Sequence, residues 1–440
     1  VIVLVSLYEL GRQPLGLATP LAFLRRAGLD AVALDLAVAP LDLDLCARAS
    51  LVAISVPMHT ALRLALPVAA RIRAHAPHVR LGFFGLYAPL NAAALGGDFA
   101  LGGECEEELV RLARSASAAA SDPVSLRRLS YPTPARDALP PLGAYARLIL
   151  PDGSERLAGN LEATRGCRHL CRHCPIPAVY HGRFFAVPVD VVLADAAQQV
   201  AAGAGHFTFA DADFLNGPRH ALAVARGLHA AHPGVSFDVT TKVEHILRHR
   251  GLFAELADLG CVFVVSAFES LSDTILDLLD KGHHAADLVP ALEVVRGAGI
   301  SLRPSFLPFT PWTTASDYLA LVHFIYEQDL VGEVDPVQLA LRLLIPPGSL
   351  LLERPELTPH LGELDAAAGT WRWTHPDPRL DALQLAVQAL VERAADERAP
   401  AEEAFAALHD RAVRALGGAG SPRRPHRRPA TAHLSEPWFC

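Results

Sequence analysis

Along residues 1 to about 118, short runs of consecutive apolar residues alternate with stretches whose apolar positions recur every three to four residues. The runs at 1–7, 31–36, 51–56, 79–84 and 99–101 predict strands buried on both faces, because helix-covered parallel strands lose the in–out alternation. The stretches 20–27, 60–74 and 106–115 predict the crossover helices between them. Strands alternating with helices in this way make a doubly wound α/β domain over 1–118. The pattern then decays into Ser, Pro and Arg (SDPVSLRRLSYPTPARDALPPL), which predicts a linker over 119–160. Leu139, Leu142 and Tyr145 should pack it down along its length. A second series of apolar runs at 161–163, 206–210, 236–239, 262–267, 301–307 and 337–341 predicts six β/α repeats over 161–345. Six such repeats form a partial (β/α)6 barrel whose reactive end is the C-terminal edge of the strands. A helical extension is expected over 346–416. The Pro- and Arg-rich 417–440 reads as a flexible tail.

Composition narrows the class. Of 440 residues 51% are apolar and 20% charged, as in a globular chain long enough for two or three cores. A formal charge of −8 argues against nonspecific nucleic-acid binding, which needs a basic face. Lys242 and Lys281 are the only lysines. No apolar run reaches the ~18 residues of a membrane-spanning helix, and the apolar start lacks the basic flank of a signal peptide. The first residue is Val, which fits a GTG start or a clipped N-terminus. Seven cysteines, three of them clustered, suit a reducing cytoplasm better than a disulfide framework.

The cluster is EATRGCRHLCRHCP, with Cys167, Cys171 and Cys174 spaced C-x3-C-x2-C just past a predicted strand. Three thiolates on a four-iron cubane leave one iron open to a bidentate ligand. Gly166 eases the chain into the loop. Two other readings of these residues stand beside this one: a zinc site completed by His169 or His173, and a cluster that only carries electrons.

Motif, position and the β/α rhythm after it resemble the radical S-adenosylmethionine (SAM) superfamily over roughly 161–344. The resemblance implies a 4Fe–4S cluster on the three cysteines, with SAM chelated at the open iron and cleaved to a 5′-deoxyadenosyl radical. It further implies a small-molecule or peptide substrate and an electron donor such as flavodoxin or ferredoxin. His173 stands where the superfamily usually has a carbocyclic aromatic shielding the adenine. Asp211 and Asp213, in FADADFLNG, follow the second strand where an acidic or polar group meets the methionyl ammonium; Asp213 is equally a helix N-cap. Glu269 and Ser270, in SAFESLSD, resemble the segment beside the SAM ribose, and Ser272 is a candidate helix cap. Thr241, Lys242 and Glu244 are expected toward the same rim. Arg303 is expected either at the SAM carboxylate or as barrel lining. His181, His206, His283 and His284 read as packing or surface residues before catalytic ones.

An α/β domain ahead of such a barrel resembles the cobalamin-binding arrangement of one radical SAM subclass. The loop YELGRQPLG lacks the Asp-x-His-x-x-Gly that would place a histidine under cobalt. Two alternatives follow: cobalamin with a histidine-free lower face, or a domain that keeps the fold without the cofactor. His59 and Thr60 after the third strand, and LGGECEEE after the last, lie where this fold places ligands. The ending SEPWFC resembles radical SAM proteins that finish in Cys-Cys-Ala-Glu-Pro or Cys-selenocysteine-Ala-Glu-Pro. This implies that Cys440 precedes a UGA codon decoded as selenocysteine, which the next four codons of the gene would test. A noncatalytic iron–sulfur or selenium-handling protein acting through the tail is the reading from another class.

Overall fold

The computed structural model describes residues 1–115, 117–417 and 431–436. Trp438, Phe439 and Cys440 lie outside the described residues, and with them the selenocysteine expectation. Six parallel strands form the first sheet: β1 (Ile2–Ser6), β2 (Ala31–Asp35), β3 (Leu51–Ser55), β4 (Arg80–Phe84), β5 (Ala100–Gly103) and β6 (Val124–Ser125). Their order is β2-β1-β3-β4-β5-β6. Alternate residues of each strand serve opposite cores, which is why the runs are apolar throughout. Val3, Val5, Val52, Ile54 and Phe83 meet Leu62, Ala65 and Ile72 of the helix His59–His75. Ile2, Leu4, Leu51 and Ala53 meet Leu17, Leu21, Leu109 and Leu112 of the helices Leu15–Arg26 and Glu106–Arg114. The result is a doubly wound sheet covered on both faces.

The second sheet begins earlier than the apolar pattern suggests. β7 (Arg147–Ile149) and β8 (Glu155–Leu161) form an antiparallel pair inside the segment read as linker. β9 (Thr164–Gly166) and β10 (Phe184–Ala186) pair separately. β11 (His206–Phe209), β12 (Ser236–Thr240), β13 (Cys261–Glu269) and β14 (Ser301–Phe306) continue parallel to β8. Phe207, Phe209, Phe237, Val264 and Leu302 fill the core between this curled sheet and its helices.

The sixth strand expected at 337–341 is instead a 3-10 turn, Pro336–Ala340. Pro336 has no N–H to give a ladder, and the Gln338 side chain accepts the Phe306 N–H at 3.1 Å in its place. A single bridge between Phe309 and Arg342 is what remains of that pairing. A hairpin, β15 (Leu361–Asp365) and β16 (Thr370–Trp373), precedes the helices Pro378–Asp396 and Ala401–Leu416, which pack on the barrel core. Within the segment expected to be flexible, β17 (His433–Leu434) pairs antiparallel with β7 and extends the sheet by one strand. A residue pattern this short and polar carries no strand signal; Ala432 and Leu434 find their place only against Leu148 and Phe263.

Arg136 fastens the two sheets together. It is 6% exposed and donates to both carboxylate oxygens of Asp195 at 3.0 and 2.9 Å. It also reaches the Asn160 carbonyl at 2.7 Å and the Gln13 carbonyl at 3.2 Å. A buried guanidinium with this many acceptors compensates its own desolvation.

Candidate functional site

The cysteine loop is the segment that the β9–β10 pair closes off. Gly166 pairs with Phe184, so residues 167–183 return on themselves within a narrow neck. Gly166 takes φ +75°, and a Cβ there would lie 2.5 Å from the Arg183 carbonyl oxygen and 2.5 Å from the Tyr180 ring. Only glycine fits that neck. The loop is pinned from outside by Arg172, whose N–H donates to Leu279 O at 2.9 Å and whose carbonyl accepts from Ser349 Oγ at 2.9 Å. At its base, Asp211 accepts from the Ala163 N–H at 2.9 Å and the Thr164 hydroxyl at 2.6 Å. Burial, working against those two bonds, raises Asp211 to about 7. It points into the loop rather than out toward a ligand.

Cys167, Cys171 and Cys174 feel one another's charge. Cys167 Sγ lies 3.7 Å from Asn216 Oδ1, and Lys242 Nζ lies 3.6 Å from Cys171 Sγ. Burial, then the neighbouring Cys171, pushes the Cys174 thiol up to about 12, with Lys281 pulling the other way. Thiols so placed stay protonated until a metal replaces the proton. Three convergent sulfurs with two ammonium groups beside them fit an anionic iron–sulfur cluster.

His169 and His173 each turn Nε2 to a group other than the sulfurs, which disfavours zinc completed by that nitrogen of either ring. His173 Nε2 lies 3.1 Å from Glu269 Oε1, which also takes Lys281 Nζ at 3.0 Å. Burial would raise Glu269, but Lys281 and His173 outweigh it and hold the carboxyl well below its usual range. Glu269 sits at φ +62°, a left-handed conformation costly for a residue with a Cβ. Ser270 follows it, buried, and its hydroxyl accepts the Ser272 N–H at 3.1 Å. Arg303 lies 3.6 Å from Asp335, with its Nη1 lacking a hydrogen-bond partner.

His169 joins a different group. Its Nε2 is 3.3 Å from His245 Nε2 and 3.6 Å from Asp213 Oδ2. Asp213 does cap the turn after β11, through Leu215 N at 3.1 Å, and takes the Thr241 hydroxyl at 2.7 Å on the same oxygen. Burial, with Lys242 adding to it, lowers His169 to about 4. Of the other histidines, His206 bonds Ser236 and Asp238 inside the sheet. His181 ends a helix at φ 50°, and His283 meets the Phe268 carbonyl.

Between the C-terminal edges of the two sheets lies a cavity with about 1210 Å³ of space, part of it open to solvent. Pro57, Met58, Phe84, Gly85 and Gly103 wall it from the first sheet; Arg165 and Gly166, at the neck of the cysteine loop, wall it from the second. His59 instead meets the Ala368 carbonyl at 2.5 Å, so the ligand position after β3 falls to Met58. From LGGECEEE, Gly103, Cys105 and Glu106 line the cavity, while Glu104 is buried against Tyr131, Tyr180 and Arg165. Pattern reading missed Met58, Asn216 and His245. The TTKVEH segment pointed to the right rim, but His245 lies 76 positions from its partner His169, beyond any local signal.

Comparison with known proteins agrees with this layout. Residues 161–325 match the model of the Radical SAM superfamily. Over 186 residues the chain is 25% identical to the ribosomal protein uS12 methylthiotransferase RimO of Geotalea uraniireducens (strain Rf4), covering 38% of this chain and 39% of that protein. The alignment thus spans well under half of the curated relative. Among solved structures, the cobalamin-dependent SAM radical enzyme OxsB with aqua-cobalamin bound superposes with a TM-score of 0.71 at 16% identity, over 89% of this chain and 67% of that one. The radical SAM methyltransferase TsrM of Kitasatospora setae, with tryptophan and a SAM analogue bound, gives 0.67 at 16% identity over 88% of each chain. Both likenesses extend across the two sheets and not the barrel alone. Over residues 161–325 the chain is thus similar in sequence to the radical SAM superfamily, and across both sheets it shares the fold of these two solved structures.

Proposed function

We propose that the chain is an enzyme that reductively cleaves SAM and, with a cobalamin in the cavity between the sheets, transfers a methyl group to carbon of a small-molecule or peptide substrate. One observation carries this reading: the neck of the cysteine loop, Arg165 and Gly166, is itself a wall of that cavity. Chemistry at the thiols and a guest held by the first sheet would therefore lie on two sides of one narrow neck. A 4Fe–4S cluster on Cys167, Cys171 and Cys174 would supply the electron that breaks the SAM sulfonium bond, and a cobalamin would supply a cobalt able to pass on a methyl group.

The residues themselves do the rest. Lys242 and Lys281 offset the negative charge gathered at the sulfurs. Glu269 and Ser270 at the end of β13, His173 in the cysteine loop and Arg303 on β14 would serve as SAM contacts, and Asp211 would keep the loop base in place. Pro57, Met58, Phe84 and Leu86 offer a largely apolar wall without a histidine, and Gly85, at φ +109°, lets backbone approach a guest closely. A flavodoxin or ferredoxin would deliver the electron in the cytoplasm; among the described residues no helix is long and apolar enough to cross a membrane.

The test is anaerobic reconstitution with cobalamin, SAM and a low-potential reductant. SAM consumption to 5′-deoxyadenosine or S-adenosylhomocysteine is expected, and none with Cys171→Ala. A reconstituted cluster that leaves SAM intact overturns the proposal.

A further inference from the structure

His169 of the cysteine loop, Asp213 of the turn after β11 and His245 of the helix Val243–Arg248 after β12 meet at one point. Asp213 and His245 are 1% and 1% exposed in their side chains, and His169 is 15% exposed. Asp213 Oδ2 and His245 Nδ1 are 2.8 Å apart, yet neither atom has a hydrogen-bond partner. Two buried polar atoms this close, facing each other without a hydrogen bond, leave a cost of desolvation unmet. A cation shared by both would meet it.

The geometry points to a divalent-metal site, separate from the three thiols, ligated by His169 Nε2, Asp213 Oδ2 and one ring nitrogen of His245. The group is compact enough for one ion, with its ligand atoms all within 4.8 Å of one another. His169 Nε2 stands 3.3 Å from His245 Nε2 and 3.6 Å from Asp213 Oδ2, close to the roughly 3.3 Å edge of a tetrahedron drawn at zinc–nitrogen bond lengths, whereas the 2.8 Å between Asp213 Oδ2 and His245 Nδ1 is shorter and would open as an ion entered. Two imidazoles and a carboxylate suit zinc or another first-row divalent ion.

The surroundings are those of a ligand set held in position. Thr241 and Leu215 both donate to Asp213 Oδ1, which leaves Oδ2 as the oxygen turned to the imidazoles. Glu244 Oε2 stands 3.8 Å from His169 Nδ1, on the far side of the ring. A carboxylate on that side favours a proton on Nδ1 through its charge, which leaves Nε2 free to ligate. Lys242 is the nearby charge that opposes a cation, and its ammonium is directed instead at Cys171 Sγ. Because His169 lies between Cys167 and Cys171, an ion here would tie the cysteine loop to the ends of β11 and β12. Asp213 would then serve the metal and not the methionyl ammonium.

Metal content tests this without reference to turnover, so its outcome is independent of the proposed SAM chemistry. Protein purified anaerobically from zinc-supplemented cells and loaded with its cluster should carry about one zinc per chain beyond the cluster iron. Asp213→Asn and His245→Gln should each lose that zinc while iron and sulfide stay at wild-type levels. As a second measurement, the Cys167→Ala/Cys171→Ala/Cys174→Ala variant should still bind cobalt, with visible d–d bands and no thiolate charge-transfer band. Adding Asp213→Asn should weaken that binding roughly a hundredfold. Absence of zinc from the loaded wild type together with no cobalt uptake by the triple variant overturns the site, as does uptake that Asp213→Asn and His245→Gln leave unchanged.

Discussion

Beyond β3, β4 and β5 the first sheet ends in Pro57, Met58, Gly85, Leu86 and Gly103. Beyond β8, β11, β12 and β13 the second ends in thiols, imidazoles, carboxylates and ammonium groups. The first sheet is parallel throughout and the second is parallel from β8 to β14, and in both the C-terminal edge of the parallel strands is the one left open. The first edge is smooth enough to admit a large guest. The second is crowded, and several of its charged groups are buried beside a partner: Glu269 with Lys281 and His173, Lys242 with Cys171. One architecture thus serves as a wall and as a reaction centre, depending on what stands in the few positions past each strand.

The strongest test of that division is Cys171→Ala. It should abolish cluster iron and lower SAM cleavage at least a thousandfold, while cobalamin uptake, read by its absorbance, stays within about twofold. Equal loss of both would mean that the two edges are not separable. Next comes Arg136→Ala, which leaves Asp195 buried without its partner. It should cost about 3–5 kcal/mol in urea unfolding and uncouple the unfolding of the two sheets; a single unshifted transition would sink the clamp. Gly85→Val forces a side chain onto a φ of +109° and into the Val56 backbone 3.0 Å away. Cobalamin affinity should fall at least tenfold with cluster iron unchanged.

Asp211 gives a pH test. Its carboxyl, held near 7 in the fold against 3.8 free, contributes stability that is full below about pH 4 and lost as pH rises through about 7. Asp211→Asn should flatten that decline, which amounts to a few kcal/mol at most, and cost about 1 kcal/mol at low pH through one lost hydrogen bond. An unchanged slope of urea midpoint against pH would count against it. The smallest effect is expected from ending the chain at residue 430, which uncovers Leu148 and removes the β17 pairing. About 1–2 kcal/mol should be lost, with cobalamin and iron content intact.

Much of the first sheet was legible because β1 and β3 are apolar up to a final serine and β4 from its second residue on. β8 was read late since its first half, Glu155 and Arg156, faces outward and Asn160 is buried as a partner of Arg136. The sixth barrel strand failed for a local reason, Pro336, whose position is occupied by a side-chain bond from Gln338. The cysteine spacing pointed to three thiols, and the fold does bring them within reach of one another's charge. The acids near it could be placed on a rim but not aimed: Asp211 turns inward to the loop base and Asp213 toward two histidines. A linear pattern records which strand end a residue follows, and only packing decides which neighbour it faces.

The strand at 433–434 has a consequence for how the molecule is made. Everything it touches, from Tyr8 and Gly11 near the start to β7, leaves the ribosome long before it does. Until then β7 presents an unpaired edge, the kind of surface on which one nascent chain can pair with another. Residues 431–436 cover that edge, so a pause in synthesis before they emerge should raise aggregation of an otherwise folded chain.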